Sequence, residues 1–472
     1  MEQNLTFYPF AYALLNEYLN DFCWYCLSEG SVTPSYIGHL QLRRCSGCKT
    51  GHFCKKECQS NGWSDHKAEC KALAKRIANG QVGQSIVPDI EVRMLGRLVW
   101  RHKQILDGCD KKEKNFYLNR TSVRNVMDLC SHDEDMRADG KARQKFEMIL
   151  QQLKQFYDQK FLLDDETTFQ LHCRNYINRH GISDRTYLRE IGKGLYLDLC
   201  WYDHSCRPNT LYTHNGFIAI LRPLSSAVIM PDRSTTFYTY IDLLQSKKER
   251  RRALRESWYF DCQCARCIDE SDHALTAVKC SHCHAPVNIF KGTHLRSVED
   301  IICEQCGHKV EEGRVHEGIR TMRQIDALIN GDDLENQENE KTLQLLDELM
   351  AKQSAILPLC NVYYVRLLRA AIMKTDPTDT ERLLRYHVQA VDCMRLCYPA
   401  NHPSLAYHLM NVGVFYAQLN QITKARVFLE EAEAMFEYTL GHGHFLTTSA
   451  CDHLQQMSGS SEANSSITAK LD

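Results

Sequence analysis

The chain has 472 residues, enough for about three domains. Its Lys+Arg 57 against Asp+Glu 59 leave a formal charge of −2, which argues against a globally basic nucleic-acid binder. Hydrophobic residues at 43% and charged residues at 25% fit an ordinary globular protein, and no apolar run approaches the roughly 18 residues of a membrane helix. The outlier is cysteine, with 23 copies beside 21 histidines. Most of these cysteines fall in C-x2-C or C-x3-C steps, and the opening Met-Glu-Gln-Asn has no secretory n-region. Together these features point to structural zinc in a reducing compartment and away from disulfides.

In chain order, Tyr8–Leu15 reads as a strand. Cys23-x2-Cys26, Cys45-x2-Cys48, Cys54-x3-Cys58 and His66-x3-Cys70 follow, giving seven thiols and one imidazole, enough for two tetrahedral zinc sites. Such a short, weakly apolar segment needs the metal in order to fold. Residues 71 to about 188 are charged and helix-patterned, with Phe146, Ile149, Leu150, Leu153 and Phe156 forming an i, i+3, i+4 stripe. The stretch from Gly192 to Asp242 alternates strand-like runs with polar turns. Lys247–Arg252 is a charge run expected to form a solvated helix face. Cys262-x-Cys264-x2-Cys267 supplies three ligands, and Cys206 is a candidate fourth. Cys280-x2-Cys283 and Cys303-x2-Cys306, nineteen residues apart, have zinc-ribbon spacing.

Those ligands total 15 cysteines and one histidine on four zincs. The remaining cysteines, at 109, 130, 173, 200, 360, 393, 397 and 451, lack ligand spacing and are expected to be buried small apolar residues. The acidic stretch Gly331–Glu338 reads as a loop, and residues 340–455 read as helical. Within them Gly413, Tyr416, Ala425, Leu429 and Ala432 fit a tetratricopeptide helix pair, with Ala390 hinting at a weaker one before it. The tail from Ser458 onward is expected to be disordered.

The text Phe53-Cys54-Lys55-Lys56-Glu57-Cys58-Gln59, with Trp63 and His66, resembles a MYND finger. That resemblance implies a cross-brace, with Cys23, Cys26, Cys54 and Cys58 on one zinc and Cys45, Cys48, His66 and Cys70 on the other. Taken with Gly192-Lys193-Gly194, Asp203-His204-Ser205-Cys206-Arg207-Pro208-Asn209 and Tyr238-Thr239-Tyr240-Ile241-Asp242, the order resembles the SET–MYND (SMYD) family of protein-lysine methyltransferases over roughly residues 5 to 455.

The implied fold is α+β: a SET β-fold split by a MYND finger and a helical insert, then a zinc ribbon and an all-α TPR-like domain. Its expected boundaries are an N-terminal SET strand at 1–22, the finger at 23–70, the insert at 71–190 and the SET core at 191–245. A post-SET zinc motif at 246–270, the ribbon at 275–310, helices at 311–455 and the tail at 456–472 complete the set.

The resemblance further implies S-adenosylmethionine as cofactor and a protein substrate, histone or other, that presents a lysine. Tyr240 matches the channel tyrosine that orients the amine, His204 the residue whose backbone meets adenine, and Phe260 an aromatic packed on adenine. Asn175 is matched to an asparagine near the methionine moiety, with Asn178 an equal alternative on register. Cys206 with Cys262, Cys264 and Cys267 forms the post-SET zinc. A proline-rich peptide at the finger, a monomer, and a place in cytoplasm and nucleus, acting on chromatin and transcription, are further expectations.

Four departures bear on the cofactor side. No glycine precedes Cys23, so the family's Gly-x-Gly turn is missing; Asp203 replaces an asparagine; Arg233-Ser234-Thr235 replaces a Gly-Glu-Glu turn; and Trp258 replaces an aromatic hydroxyl. They leave two readings open, an active methyltransferase and a catalytically inactive adaptor that binds peptides through the finger and helices.

Overall fold

The run Ala11–Leu14 is too short to form a sheet with its neighbours, and it pairs with a strand far along the chain. A computed structural model describes residues 4–31, 40–81, 86–109, 124–291, 294–331 and 339–468. It divides into one unit of Met1–Asp203, Tyr212–Arg222 and Ser257–Tyr259 and a second of His204–Leu211, Pro223–Glu256 and Phe260–Asp472.

The first unit begins with β1 (Leu5–Phe7) and β2 (Ala11–Leu14), then the finger hairpin β3 (Arg43–Arg44) and β4 (His52–Phe53). Helices α1 (Lys56–Asn61), α2 (Trp63–Ala78), α3 (Ile90–Leu106), α4 (Asp133–Ala138), α5 (Gly140–Phe156) and α6 (Asp165–Asn178) follow. Strands β5 (Arg179–Ser183), β6 (Glu190–Leu195), β7 (Thr210–Asn215) and β8 (Ile218–Pro223) complete its sheets, ordered β2-β6-β5 and β1-β8-β7. Ala11 pairs with Leu195 and Leu14 with Gly192, all antiparallel. Asp89, Asp139 and Asp164 accept backbone N–H bonds at the starts of α3, α5 and α6, which satisfies donors each helix would otherwise leave open. The stripe residues Phe146, Ile149, Leu153 and Phe156 are buried.

Strand β2 is an edge strand, and α3 covers its free carbonyls with three buried arginines. Arg93 donates to Leu14 O at 2.5 Å, Arg97 to Tyr12 O at 2.5 Å, and Arg101 to Phe10 O. The match is geometric: residues i and i+4 on a helix rise about 6 Å, and alternate residues on a strand about 6.7 Å. Arg97 also forms a bidentate pair with Glu69 of α2 at 2.7 and 2.8 Å. Burial would raise the Glu69 carboxyl, yet the Arg97 guanidinium holds it well below the usual carboxylate range. Glu69 lies 3.8 Å from His66 Nδ1, so the finger, α3 and the sheet share one ionic centre.

The second unit contains α7 (Lys247–Trp258) up to Glu256, α8 (Ala265–Ile268), the hairpins β9 (Val278–Lys279) with β10 (Pro286–Val287) and β11 (Phe290–Lys291) with β12 (His294–Leu295), and α9 (Glu312–Ile329). It ends in α10 (Asn339–Gln353), α11 (Val362–Lys374), α12 (Thr380–Cys397), α13 (Pro403–Gln418), α14 (Ile422–Leu440) and α15 (Phe445–Thr468). One apolar cluster joins the ribbon to these helices through Val278, Ile301, Val315, Leu346, Val365, Leu409 and Phe436. At Gly413 a Cβ would stand 2.6 Å from Leu429 Cγ and 3.1 Å from the Ala425 carbonyl, so only glycine lets α13 and α14 approach this closely.

Several expectations are corrected here. The insert is not helical to residue 190, because β5 begins at Arg179. The run Lys247–Arg252 is solvated only in part: Lys248 and Arg252 are exposed, whereas Arg250 is fully buried on Asp272 at 2.7 Å and Glu249 is buried against Arg366. Cys109 and Cys130 are exposed, so not all the spare cysteines are core residues. The backbone stays helical through Ser458 to Thr468, since extending an established helix fixes few new dihedrals per hydrogen bond. The expected acidic loop, residues 332–338, lies outside the described residues.

Arg97→Met removes the shared guanidinium and leaves Glu69 ionised in a buried site. It is expected to destabilise the first unit by about 3–5 kcal/mol, measured by urea unfolding of the zinc-saturated chain.

Candidate functional site

Thiolates close enough to share a metal repel one another unless a cation neutralises them, so their positions reveal the sites. Four sets are brought together: Cys23, Cys26, Cys54 and Cys58; Cys45, Cys48, His66 and Cys70; Cys206, Cys262, Cys264 and Cys267; and Cys280, Cys283, Cys303 and Cys306. The ligand atoms of each set lie within 4.8 Å of one another. Neighbouring sulfurs sit 3.6 Å apart for Cys26–Cys54, 3.8 Å for Cys45–Cys70, 3.6 Å for Cys206–Cys267 and 3.5 Å for Cys283–Cys303. A zinc–sulfur bond of about 2.3 Å gives a tetrahedron edge of about 3.8 Å, whereas a disulfide needs about 2.05 Å. The sets therefore fit zinc.

The local backbone shows why C-x2-C serves. In four of the five C-x2-C steps the residue after the second cysteine is left-handed: Leu27 (φ 57), Lys49 (φ 58), His284 (φ 62) and Gly307 (φ 68); after Cys267 it is the helical Ile268. The left-handed conformation, which disfavours most side chains, returns the N–H to the carbonyl of the first cysteine in those four turns. Backbone N–H groups also reach sulfur, with Gly51 N on Cys48 Sγ at 3.4 Å and Cys206 N on Cys264 Sγ at 3.3 Å.

In the second unit the segment after His204 is laced to the segment before Asp242. His204 bridges Tyr238, and Ser205 N donates to Tyr238 O at 3.0 Å. Asn209 Oδ1 accepts from Phe237 N at 2.8 Å, while its amide donates to Thr235 O at 2.7 Å. Tyr240 N donates to His204 Nδ1 at 3.1 Å, which assigns the proton to Nε2, 3.2 Å from Cys206 Sγ. Burial pushes the His204 pKa down to about 4, so the imidazole stays neutral. Its ring lies 5.2 Å from that of Tyr240 and 6.2 Å from that of Phe260. His204, Tyr240 and Phe260 thus meet beside the Cys206 zinc set.

Asn175 and Asp203 belong to the first unit. Asn175 is buried, and its Oδ1 has no partner among the described residues. Asn178 is engaged differently, its amide donating to Cys130 O and Arg174 O at 2.8 Å each. Asp203 is exposed. The Trp258 indole donates to Ile177 O at 2.9 Å in the same unit. In the Arg233-Ser234-Thr235 turn, Asp232 Oδ1 accepts from Ser234 N at 2.9 Å and Oγ at 2.6 Å.

One supporting residue was missed from sequence. Buried Arg266, between two zinc ligands, donates from Nη1 to the carbonyls of Cys206, Leu243 and Cys397 and from Nε to Asp272. Its place inside the cysteine motif was the available signal.

Residues 23–70 match the MYND finger family. The chain is 24% identical to the Histone-lysine N-methyltransferase SMYD3 of Homo sapiens over 414 residues, covering 87% of this chain and 83% of that protein. It is 24% identical to the N-lysine methyltransferase SMYD2-B of Danio rerio over 413 residues, covering 86% and 84%. The N-lysine methyltransferase SMYD2 of Mus musculus is 22% identical over 411 residues, covering 85% and 83%.

Metal analysis of the purified chain is expected to find four zinc ions, falling to three in Cys206→Ser. The sixteen-ligand count would be wrong if that variant kept its full complement.

Proposed function

Because the chain belongs to the SET–MYND (SMYD) family of protein-lysine methyltransferases, we propose that it transfers a methyl group from S-adenosylmethionine to a lysine amine of a protein substrate. The observation that carries this reading is the laced segment of the second unit, where Tyr240 is held by its own backbone N–H to a neutral His204 fixed on a zinc ligand. The cofactor supplies a sulfonium methyl open to in-line attack.

The protein's part is positioning, since the amine needs only to arrive neutral and aligned. Tyr240 presents a hydroxyl that orients the amine lone pair, and the zinc-braced turn keeps the phenol from swinging away. Both His204 ring nitrogens are engaged, so the ring itself offers no further polar contact to an adenine. Phe260 offers a ring face beside it. In the first unit the buried Asn175 Oδ1, without a partner among the described residues, is an acceptor of the kind an ammonium would take.

A second reading, an inactive adaptor, is favoured by one observation. The Trp258 indole N–H is engaged on Ile177 O, so this position brings no hydroxyl to the amine.

Two experiments separate the readings. Titration calorimetry of S-adenosylmethionine into the four-zinc protein is expected to show saturable micromolar-range binding. Tritiated methyl transfer to a lysine peptide library is expected to drop about 10²-fold in Tyr240→Phe with binding retained. A folded, four-zinc chain that binds no cofactor would establish the adaptor.

A further inference from the structure

Helix α9 buries Val315, Gly318, Met322 and Ile325 in the core of its unit and turns its other face outward. On that outer face His316, Arg320, Arg323 and Gln324 follow at i, i+4, i+7 and i+8, one continuous stripe. The stripe and Leu295 of β12 line a groove of about 690 Å³, with Ile319 and Ala327 as further apolar lining. Leu295 is 40% exposed there, a large aliphatic side chain left in water.

Among the described residues the charge of this groove is not compensated: neither Arg320 nor Arg323 has a carboxylate partner. The nearest acids on the same helix are taken: Glu317 pairs with Arg314 at 3.8 Å, and Asp326 with Arg366 at 3.2 Å. Every polar side chain in the lining can donate and none is a carboxylate, while its floor is aliphatic. Two guanidiniums flanking an apolar floor complement a ligand with the opposite pattern. Nucleic acid suits the groove less well, because it has only two fixed cations and a single aromatic ring, the His316 imidazole, on which a base could stack.

We propose that this groove docks an acidic segment of a partner protein, with one apolar side chain inserted between Leu295 and Ile319 and carboxylates set against Arg320 and Arg323. The site is independent of methyl transfer and would recruit partners whether or not the chain is an enzyme.

The test uses the full zinc-loaded chain and three fluorescein-labelled probes followed by anisotropy. The first is a peptide of repeated Glu-Glu-Leu-Leu, the second its Gln-Gln-Leu-Leu counterpart, and the third a thymidine oligonucleotide of equal length. The glutamate peptide is expected to bind saturably, to weaken as salt rises, and to lose about tenfold or more in affinity in Arg320→Glu/Arg323→Glu. Both side chains are exposed, so the variant's melting temperature should be unchanged. Leu295→Ser should weaken the same peptide with its salt dependence intact. The proposal is overturned if the glutamate peptide fails to bind, if the glutamine peptide binds as well, or if the double variant binds like the parent. Tighter binding of the oligonucleotide, lost in the same variant, would overturn it in favour of nucleic acid.

Discussion

Sixteen metal-ligating side chains held in four tetrahedral sets are the constraint on which this molecule is built. Thiolates about 3.5–3.9 Å apart cannot coexist without a divalent cation, so each set is an all-or-none element. Two sets organise the finger of the first unit, where β3 and β4 have two residues each and could not persist as an isolated hairpin. The other two organise the second unit, one under the laced segment at His204 and one at the base of the helices. Metal coordination here replaces the apolar core that such short segments lack.

Buried arginine is the second recurrent device, and both units use it in the same way. Arg97 answers Glu69 and the Tyr12 carbonyl; Arg266 answers Asp272 and three carbonyls. A guanidinium carries five donors in a rigid plane, so one side chain can satisfy several segments that would otherwise expose backbone oxygens to an apolar interior. In each case the arginine acts beside a zinc set: Glu69 is next to Cys70 in sequence, and Arg266 is next to Cys267. The ion cages fix the ends of the chain segments, and the arginines fix their edges.

Much of this was legible in sequence because cysteine spacing is a geometric code. Four of the five C-x2-C turns are closed by one left-handed residue, Leu27, Lys49, His284 or Gly307, and the fifth, after Cys267, by a helical Ile268. The Gly413–Leu429 contact was also readable, since a missing Cβ opposite a large side chain is a packing statement in itself. What could not be read was tertiary override of charge. Arg93, Arg97, Arg101, Arg250 and Arg266 look like surface residues by type, and each is buried because its partners, mostly carbonyls, carry no residue-specific signature. The ends of elements were misjudged for a related reason. Strand β5 starts at Arg179 because β6 is present to pair with it, a non-local fact that Arg179-His180-Gly181 does not reveal.

The candidate site divides along the same line. His204, Tyr240 and Phe260 were matched by motif, and the hydrogen bonds explain why the motif has its form: His204 must stay neutral to accept from Tyr240 N while its other nitrogen faces a zinc thiolate. An imidazolium could not accept that bond, so the zinc turn and the tyrosine form one mechanical element. The departures at Asp203 and in the Arg233-Ser234-Thr235 turn lie outside this element. Asp203 is exposed, and the turn is closed by its own Asp232. Trp258 differs, because its indole N–H is fixed on Ile177 O and removes a hydroxyl without loosening the backbone. The element around Tyr240 is therefore complete by hydrogen bonds within its own unit, and the departures from the family's motifs do not enter the bonds that form it.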